Sequence, residues 1–291
     1  MTNKLINRYE APLLNDYIFK RTFTKDNPNG ILRDLLEAVL NVKIKNVQVL
    51  NAEIPKDILD EKSSILDIRA ELDNKKIVDI EMQVNNEGNI DKRSSLYMSK
   101  NISTQLKVDE EYKELKASIV INILNFNRYK RNSYHSVAHM KFEQTRKEEF
   151  VDLGYKNEED MATDVLEMHF IELPKFIKKN PEAKTKLEQW LWVIAGREDK
   201  IEMSKLDNPE VKKAIELVEE IMTDPKEREI IEARKMAKFN YDTGIAYAKE
   251  EGKKLEKKAN AKRMKELKMS DEQICQILNI NKEELKELLE S

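Results

Sequence analysis

Apolar residues recur at two different periods along the chain, and the period changes where the architecture should change. Ile31, Leu32, Leu35, Leu36, Val39 and Leu40 fall at helical spacing, so helices are predicted over residues 15–23 and 29–41. Beyond them the pattern shortens to alternation. Strands are predicted in VQVLNAEI from Val47, SILDIRAEL from Ser64, KIVDIEMQ from Lys76 and ASIVINILNF from Ala117. The last is nearly all apolar, as expected of a central strand covered on both faces. Two further strands are predicted in YHSVAHMKF from Tyr134 and VLEMHFIEL from Val165. Between the third and fourth strands, a helix from Ile90 to about Glu111 places Met98, Ile102 and Leu106 on one side and Arg93, Tyr97 and Lys100 on the other. After Pro174 only helices are predicted. LEQWLWVIAG stops at Gly196, Asn208-Pro209 starts a new helix, and a charged helical tract runs from Lys226 to about Met269. Ser270 with Gln273, and Asn281 with Glu284, have the spacing of capping boxes before two short helices, a helix-turn-helix arrangement.

The alternating strands raise a chemical question. Period-two counting in SILDIRAEL places Asp67, Arg69 and Glu71 on the face opposite Leu66, Ile68, Ala70 and Leu72. In KIVDIEMQ it groups Asp79, Glu81 and Gln83 opposite Val78, Ile80 and Met82. The link around Asp73 and Asn74 is short enough for an antiparallel hairpin pairing Leu72 with Lys76. Counting outward from that pair brings Asp67 opposite Glu81, with side chains roughly 5 Å apart. Two carboxylates that close repel unless a cation lies between them or one is protonated. A hard divalent ion such as Mg²⁺ takes oxygen ligands of this kind. Gln83, one pleat beyond Glu81, can orient a water by hydrogen bonding but cannot take its proton. The competing reading is that these polar residues form the water-facing side of a hairpin.

Composition narrows the setting. Of 291 residues, 37% are charged and 40% hydrophobic, with 6 glycines and 7 prolines, which favours long helices over a turn-rich β protein. A net charge of −3 excludes a uniformly basic nucleic-acid binder. Basic character is local, in residues 249–269 and in the cluster Arg128, Lys130 and Arg131. A single cysteine, Cys275, rules out a disulfide framework and fits a reducing, cytoplasmic setting. No stretch has the apolar length of a signal peptide or a membrane span, so no membrane role is expected. His135 and His139 lie on one face of a strand and are expected to be structural. Trp190 and Trp192 are expected to be packing anchors, and Cys275 a small buried apolar residue.

The order of these segments resembles a known family. A strand carrying Asp67, a short turn, a strand with Glu81-x-Gln83, a preceding helix bearing an acid and a following helix resemble the PD-(D/E)XK nuclease superfamily. NDYIFKRTF, LDIRAEL, IVDIEMQ, KRSSLYMSKNISTQL and ASIVINILNF are more closely similar to the recombination-promoting nuclease (Rpn) family of transposase-like proteins. The resemblance runs from about Asn15 to Leu173. It implies an α/β fold: a restriction-endonuclease-like core whose mixed sheet is flanked by helices, followed by an all-helical C-terminal region. The expected division is a nuclease domain over residues 1–200 and a helical region over 201–291.

The implied activity is Mg²⁺-dependent DNA endonuclease cleavage, with Mn²⁺ as a substitute. Asp67 and Glu81 correspond to the metal carboxylates, joined by the backbone carbonyl of Met82, and Gln83 stands at the third motif position. Glu37 resembles the acid of the first helix, which positions a water. Arg93, Tyr97 and Lys100 are candidates for contact with the DNA backbone. Two positions depart from the superfamily: Leu66 replaces Pro, and Gln83 replaces Lys. The second requires the attacking water to lose its proton to the metal's field, a phosphate or solvent. The alternatives are a non-catalytic DNA-binding or recombination accessory protein acting through the terminal helix pair, and a helical interaction module. A homodimer formed through the helical C-terminal region is a further expectation.

Overall fold

The computed structural model describes residues 11–25, 29–50, 68–73, 75–106, 109–140, 165–197 and 206–290. Six strands form one mixed sheet in the order β1-β2-β3-β4-β6-β5. They are β1 (Val47–Val49), β2 (Ile68–Leu72), β3 (Lys76–Gln83), β4 (Ala117–Leu124), β5 (His135–His139) and β6 (Leu166–Glu172). The first three are antiparallel neighbours, β3, β4 and β6 run parallel, and β5 closes the far edge antiparallel to β6. The hairpin has the register expected from its turn: Leu72 pairs with Lys76 and Ile68 with Ile80. Asp73 takes a left-handed φ of 50° at that turn. Its carboxylate accepts hydrogen bonds from the amides of Lys45 and Asn46, tying the turn to the segment that leads into β1.

Strand parity separates the sheet into two faces of different chemistry. Ile68, Ala70, Val78, Ile80, Ile119, Ile121 and Ile123 share an apolar face and are at most 1% exposed. Helices α1 (Asp16–Thr24), α2 (Ile31–Leu40), α5 (Lys186–Ile194) and α6 (Pro209–Thr223) pack on one another, and α1 meets β2. The other face is crossed by α3 (Ile90–Ser103), which packs on β4. Between β6 and α5 runs α4 (Leu173–Lys179). The expected tryptophan anchors are present. Trp190 packs on Phe23 with ring centroids 5.6 Å apart, and Trp192 on Phe176 at 5.1 Å.

A buried acid locks the helical layer. Asp34 of α2 accepts hydrogen bonds from Trp190 Nε1 at 2.9 Å, Lys186 Nζ at 2.6 Å and Asn208 Nδ2 at 2.5 Å. Burial pushes its pKa up, but the bonds from Lys186, Asn208 and Trp190 outweigh burial and hold it below the ordinary value. Its stabilisation is therefore present above the unfolded-state pKa of about 4 and is lost as pH falls through the lower folded-state value. Asp34→Ala strands three donors and is expected to cost about 2–4 kcal/mol in urea unfolding. The stability gap between the parent and Asp34→Asn should shrink as the pH falls below about 4, and the same unfolding measurement checks it.

By its contacts the chain divides into two compact units, one up to Arg228 and one from Glu229 onward. In the first, α6 is capped by the Asn208 side chain, which accepts from the Glu210 amide. Glu227, in the first turn of α7 (Pro225–Glu266), accepts from Tyr17 Oη and from Arg21 Nε of α1. In the second unit the end of α7 meets α8 (Asp271–Leu278) and α9 (Lys282–Glu290) around Ala261, Ile274 and Leu285. Both expected capping boxes form: Ser270 with Gln273, and Asn281 with Glu284. Cys275 is partly buried against this small core. Among the described residues no helix is long and apolar enough to cross a membrane.

Candidate active site

The two acids on the polar side of β3 do not meet water. Asp79 is fully buried and Glu81 is 1% exposed, so the reading of this strand as the wet face of a hairpin is overturned. The cause is α3, which lays Ser94, Tyr97 and Asn101 on the sheet. This corrects the expected orientation of that helix. The sequence put Met98, Ile102 and Leu106 on one side and Tyr97 on the other, but Tyr97 and Met98 are both buried, with Ile90, Ser94 and Asn101. Leu106 lies beyond the helix end at Ser103. An apolar stripe was the wrong guide because the sheet face under α3 is itself polar, and such a face is matched by hydrogen-bonding partners.

Those partners are specific. Asn101 Nδ2 donates to Asp79 Oδ2 and to Ser118 Oγ. Ser94 Oγ donates to Asn122 Oδ1 at 2.8 Å, and Asn122 Nδ2 donates to the carbonyl of His169 at 3.1 Å. Asn101, Ser94 and Asn122 were not among the candidates read from the sequence. The signal available was Asn122, a polar residue inside the otherwise apolar run of β4. Burial pushes the Asp79 carboxyl up to about 6, a rise that the Asn101 hydrogen bond and the Arg69 charge offset only in part. Asp79 Oδ1 faces Arg69 Nε at 3.8 Å.

Glu81 occupies a different environment two residues along. Its Oε2 accepts from Gln83 Nε2 at 3.1 Å and lies 3.4 Å from Arg93 Nη2. Arg93 Nε in turn donates to Tyr97 Oη at 2.7 Å, and the guanidinium lies 5.6 Å from the centre of the Tyr97 ring. Burial works against the Arg93 charge, but the Glu81 carboxylate and then Tyr97 more than compensate and raise its pKa. The structure therefore brings together Glu81, Gln83, Arg93 and Tyr97. Lys100 is exposed on the outer side of α3. Glu37, on α2, accepts from the Ile44 amide at 3.0 Å and pairs with Lys43 and Lys186. None of these partners is on β3. Met82 lies in β3 opposite Ile123. Asp67 lies outside the described residues.

A hard divalent cation suits the donors that are described. Glu81 is a carboxylate withdrawn from water, with a carboxamide beside it and a cationic side chain already balancing its charge. Oxygen donors of this kind are what Mg²⁺ and Mn²⁺ take. Among the described residues no group of three His, Cys, Asp or Glu side chains is placed to hold a metal. His135 and His169 form a separate cluster on the other face of the sheet. His135 Nε2 and His169 Nδ1 are 2.8 Å apart, and His169 Nε2 meets Glu167 Oε1 at 2.5 Å.

At the end of the parallel strands a buried acid fixes the loop that carries the basic cluster. Glu172, fully buried, accepts from the amides of Arg128 and Tyr129 and from Lys175. Asp91, in the first turn of α3, accepts from Tyr129 Oη and the Arg128 guanidinium. The charge of Arg128 is thus partly spent on structure. The loop begins beside the site, since the Asn125 amide donates to the Gln83 carbonyl at 2.9 Å.

No curated protein and no solved structure matches the chain. A family model for PD-(D/E)XK nuclease family transposases matches residues 13–248, which takes in the whole sheet and the polar site on β3. With a mixed sheet flanked by helices and a match over most of its length, this chain belongs to the PD-(D/E)XK nuclease family transposases.

Proposed function

We propose that the chain is a Mg²⁺-dependent DNA endonuclease of the recombination-promoting type, working in the cytoplasm, with Glu81 at its centre. The observation that carries this reading is the burial of Glu81 near the C-terminal end of a parallel strand, held by Gln83 and Arg93. Ligands of α/β sheets gather at that end of the strands. Asp67 is taken as the second carboxylate. Ile68 pairs with Ile80, as in the hairpin whose counting from the sequence puts Asp67 opposite Glu81. In this reading Asp67, Glu81 and the Met82 carbonyl hold the cation, with Mn²⁺ able to replace Mg²⁺. When bound, the cation would supply Lewis-acid polarisation of the scissile phosphate and ease loss of a proton from an attacking water. Gln83 fixes the Glu81 carboxylate and presents its own carboxamide oxygen as an acceptor that orients water. Arg93 and Lys100 on α3 face the DNA backbone, and Tyr97 steadies Arg93 through its hydroxyl.

The test is nicking of supercoiled plasmid by the purified chain in EDTA, Mg²⁺ and Mn²⁺. Cleavage is expected only with a divalent cation, and cleavage in EDTA would defeat the reading. The second unit is assigned to assembly and DNA retention. A chain ended after Ala248 keeps the Glu227 contacts with α1 and the full family match. It should cut with an unchanged metal requirement while binding DNA more weakly or losing self-association. Loss of cutting in a folded truncated chain would contradict that assignment.

A further inference from the structure

Resting on the reading of Glu81 as a cation ligand, we infer that Arg93 is an exchangeable counter-ion that couples cation binding to DNA binding. Glu81 is 1% exposed, and its charge is balanced from α3 by Arg93 Nη2 at 3.4 Å. That distance is long for a charge-assisted hydrogen bond, which prefers 2.7–2.9 Å. The pair is thus a long hydrogen-bonded ion pair, with the guanidinium held in place by another bond. Arg93 Nε is fixed by Tyr97 Oη at 2.7 Å, and the side chain remains 31% exposed. One end of the guanidinium therefore faces a buried carboxylate while the group keeps an opening to solvent, where a DNA phosphate would approach.

The two roles compete for one charge. A divalent cation at Glu81 neutralises the carboxylate more fully than a guanidinium 3.4 Å away, so it displaces Arg93 from that duty. The released guanidinium, still steadied by Tyr97, becomes available to a phosphate, which it can grip with two parallel N–H donors. Cation and DNA then favour each other's binding, and by linkage the coupling is reciprocal. Arg93 acts here as a positioning residue whose ion pairing passes from Glu81 to a DNA phosphate.

Binding measurements test this without any turnover. Calorimetry with Mg²⁺ on the full chain should show Arg93→Ala binding the ion about tenfold more tightly than the parent, because the competing charge is gone. Arg93→Lys, which keeps a charge, should fall between them and guards against a folding defect in the alanine variant. Anisotropy with labelled duplex DNA in EDTA should show Glu81→Gln binding several-fold more tightly than the parent, since Arg93 is freed without an ion. That gain should vanish in the double variant Glu81→Gln/Arg93→Ala. No heat of Mg²⁺ binding by the parent defeats the metal site and this inference with it. Normal Mg²⁺ binding by the parent that Arg93→Ala leaves unchanged or weakens overturns the inference alone. So does a DNA-binding gain in Glu81→Gln that survives loss of Arg93.

Discussion

Glu81→Ala and Asp67→Ala are each expected to reduce DNA cleavage at least about a thousandfold at saturating Mg²⁺, with the fold retained. Glu81 is placed by β3, which pairs on both sides with β2 and β4, so a side-chain truncation there leaves the backbone ladder intact. What changes is charge. Removing the carboxylate leaves Arg93 without the partner 3.4 Å away and strips the Gln83 amide of its acceptor. It also removes one of the two acids proposed to hold the cation. A single remaining carboxylate binds a hard divalent ion weakly, so added Mg²⁺ should not rescue either variant. Plasmid nicking read alongside thermal unfolding separates a lost site from a lost fold. Parent-like cutting by either variant would mean that the buried face of β3 serves structure only.

Gln83 gives the second large effect, and its direction is informative. The superfamily pattern that the sequence resembles has Lys where Gln83 stands, and Gln83 donates to Glu81 Oε2 at 3.1 Å. If the carboxamide holds Glu81 and orients water, Gln83→Ala should slow single-turnover cleavage by about ten- to a hundredfold, through misplacement rather than loss of the cation. Calorimetry should then show Mg²⁺ affinity falling far less than the rate. Gln83→Lys should retain or exceed parent activity, because an ammonium beside the reacting phosphate stabilises the negative charge that develops there. A Gln83→Ala variant that cuts at the parental rate would remove this residue from the chemistry. A dead Gln83→Lys variant would mean that the site needs a neutral donor to keep Glu81 in place.

Much of this architecture was legible in the sequence because it rests on short-range rules. The period of two in KIVDIEMQ and the length of the turn at Asp73 fixed the register Leu72 to Lys76. The apolar run in ASIVINIL marked β4 as a strand with neighbours on both sides. Ser270 with Gln273, and Asn281 with Glu284, marked two helix starts to the residue. The docking of α3 was not legible, because apolar periodicity assumes that a buried helix face is greasy. Here the sheet face presents Asp79, Ser118 and Asn122, and α3 answers with Asn101 and Ser94. The same local rules were silent on Asp34. Its partners Trp190 and Asn208 stand more than 150 residues away in the chain, so its burial is a property of tertiary packing alone. Glu37 illustrates the converse. An acid at the right place on a helix matched the motif, yet its hydrogen bond goes to the Ile44 amide.

The most direct test of the metal-centred account is anomalous diffraction from crystals of the full chain soaked with Mn²⁺. The account predicts one ion bound by the Glu81 carboxylate and by Asp67, with Arg93 turned away from Glu81. Mn²⁺ bound elsewhere on the molecule, with Glu81 still paired to Arg93, would contradict it.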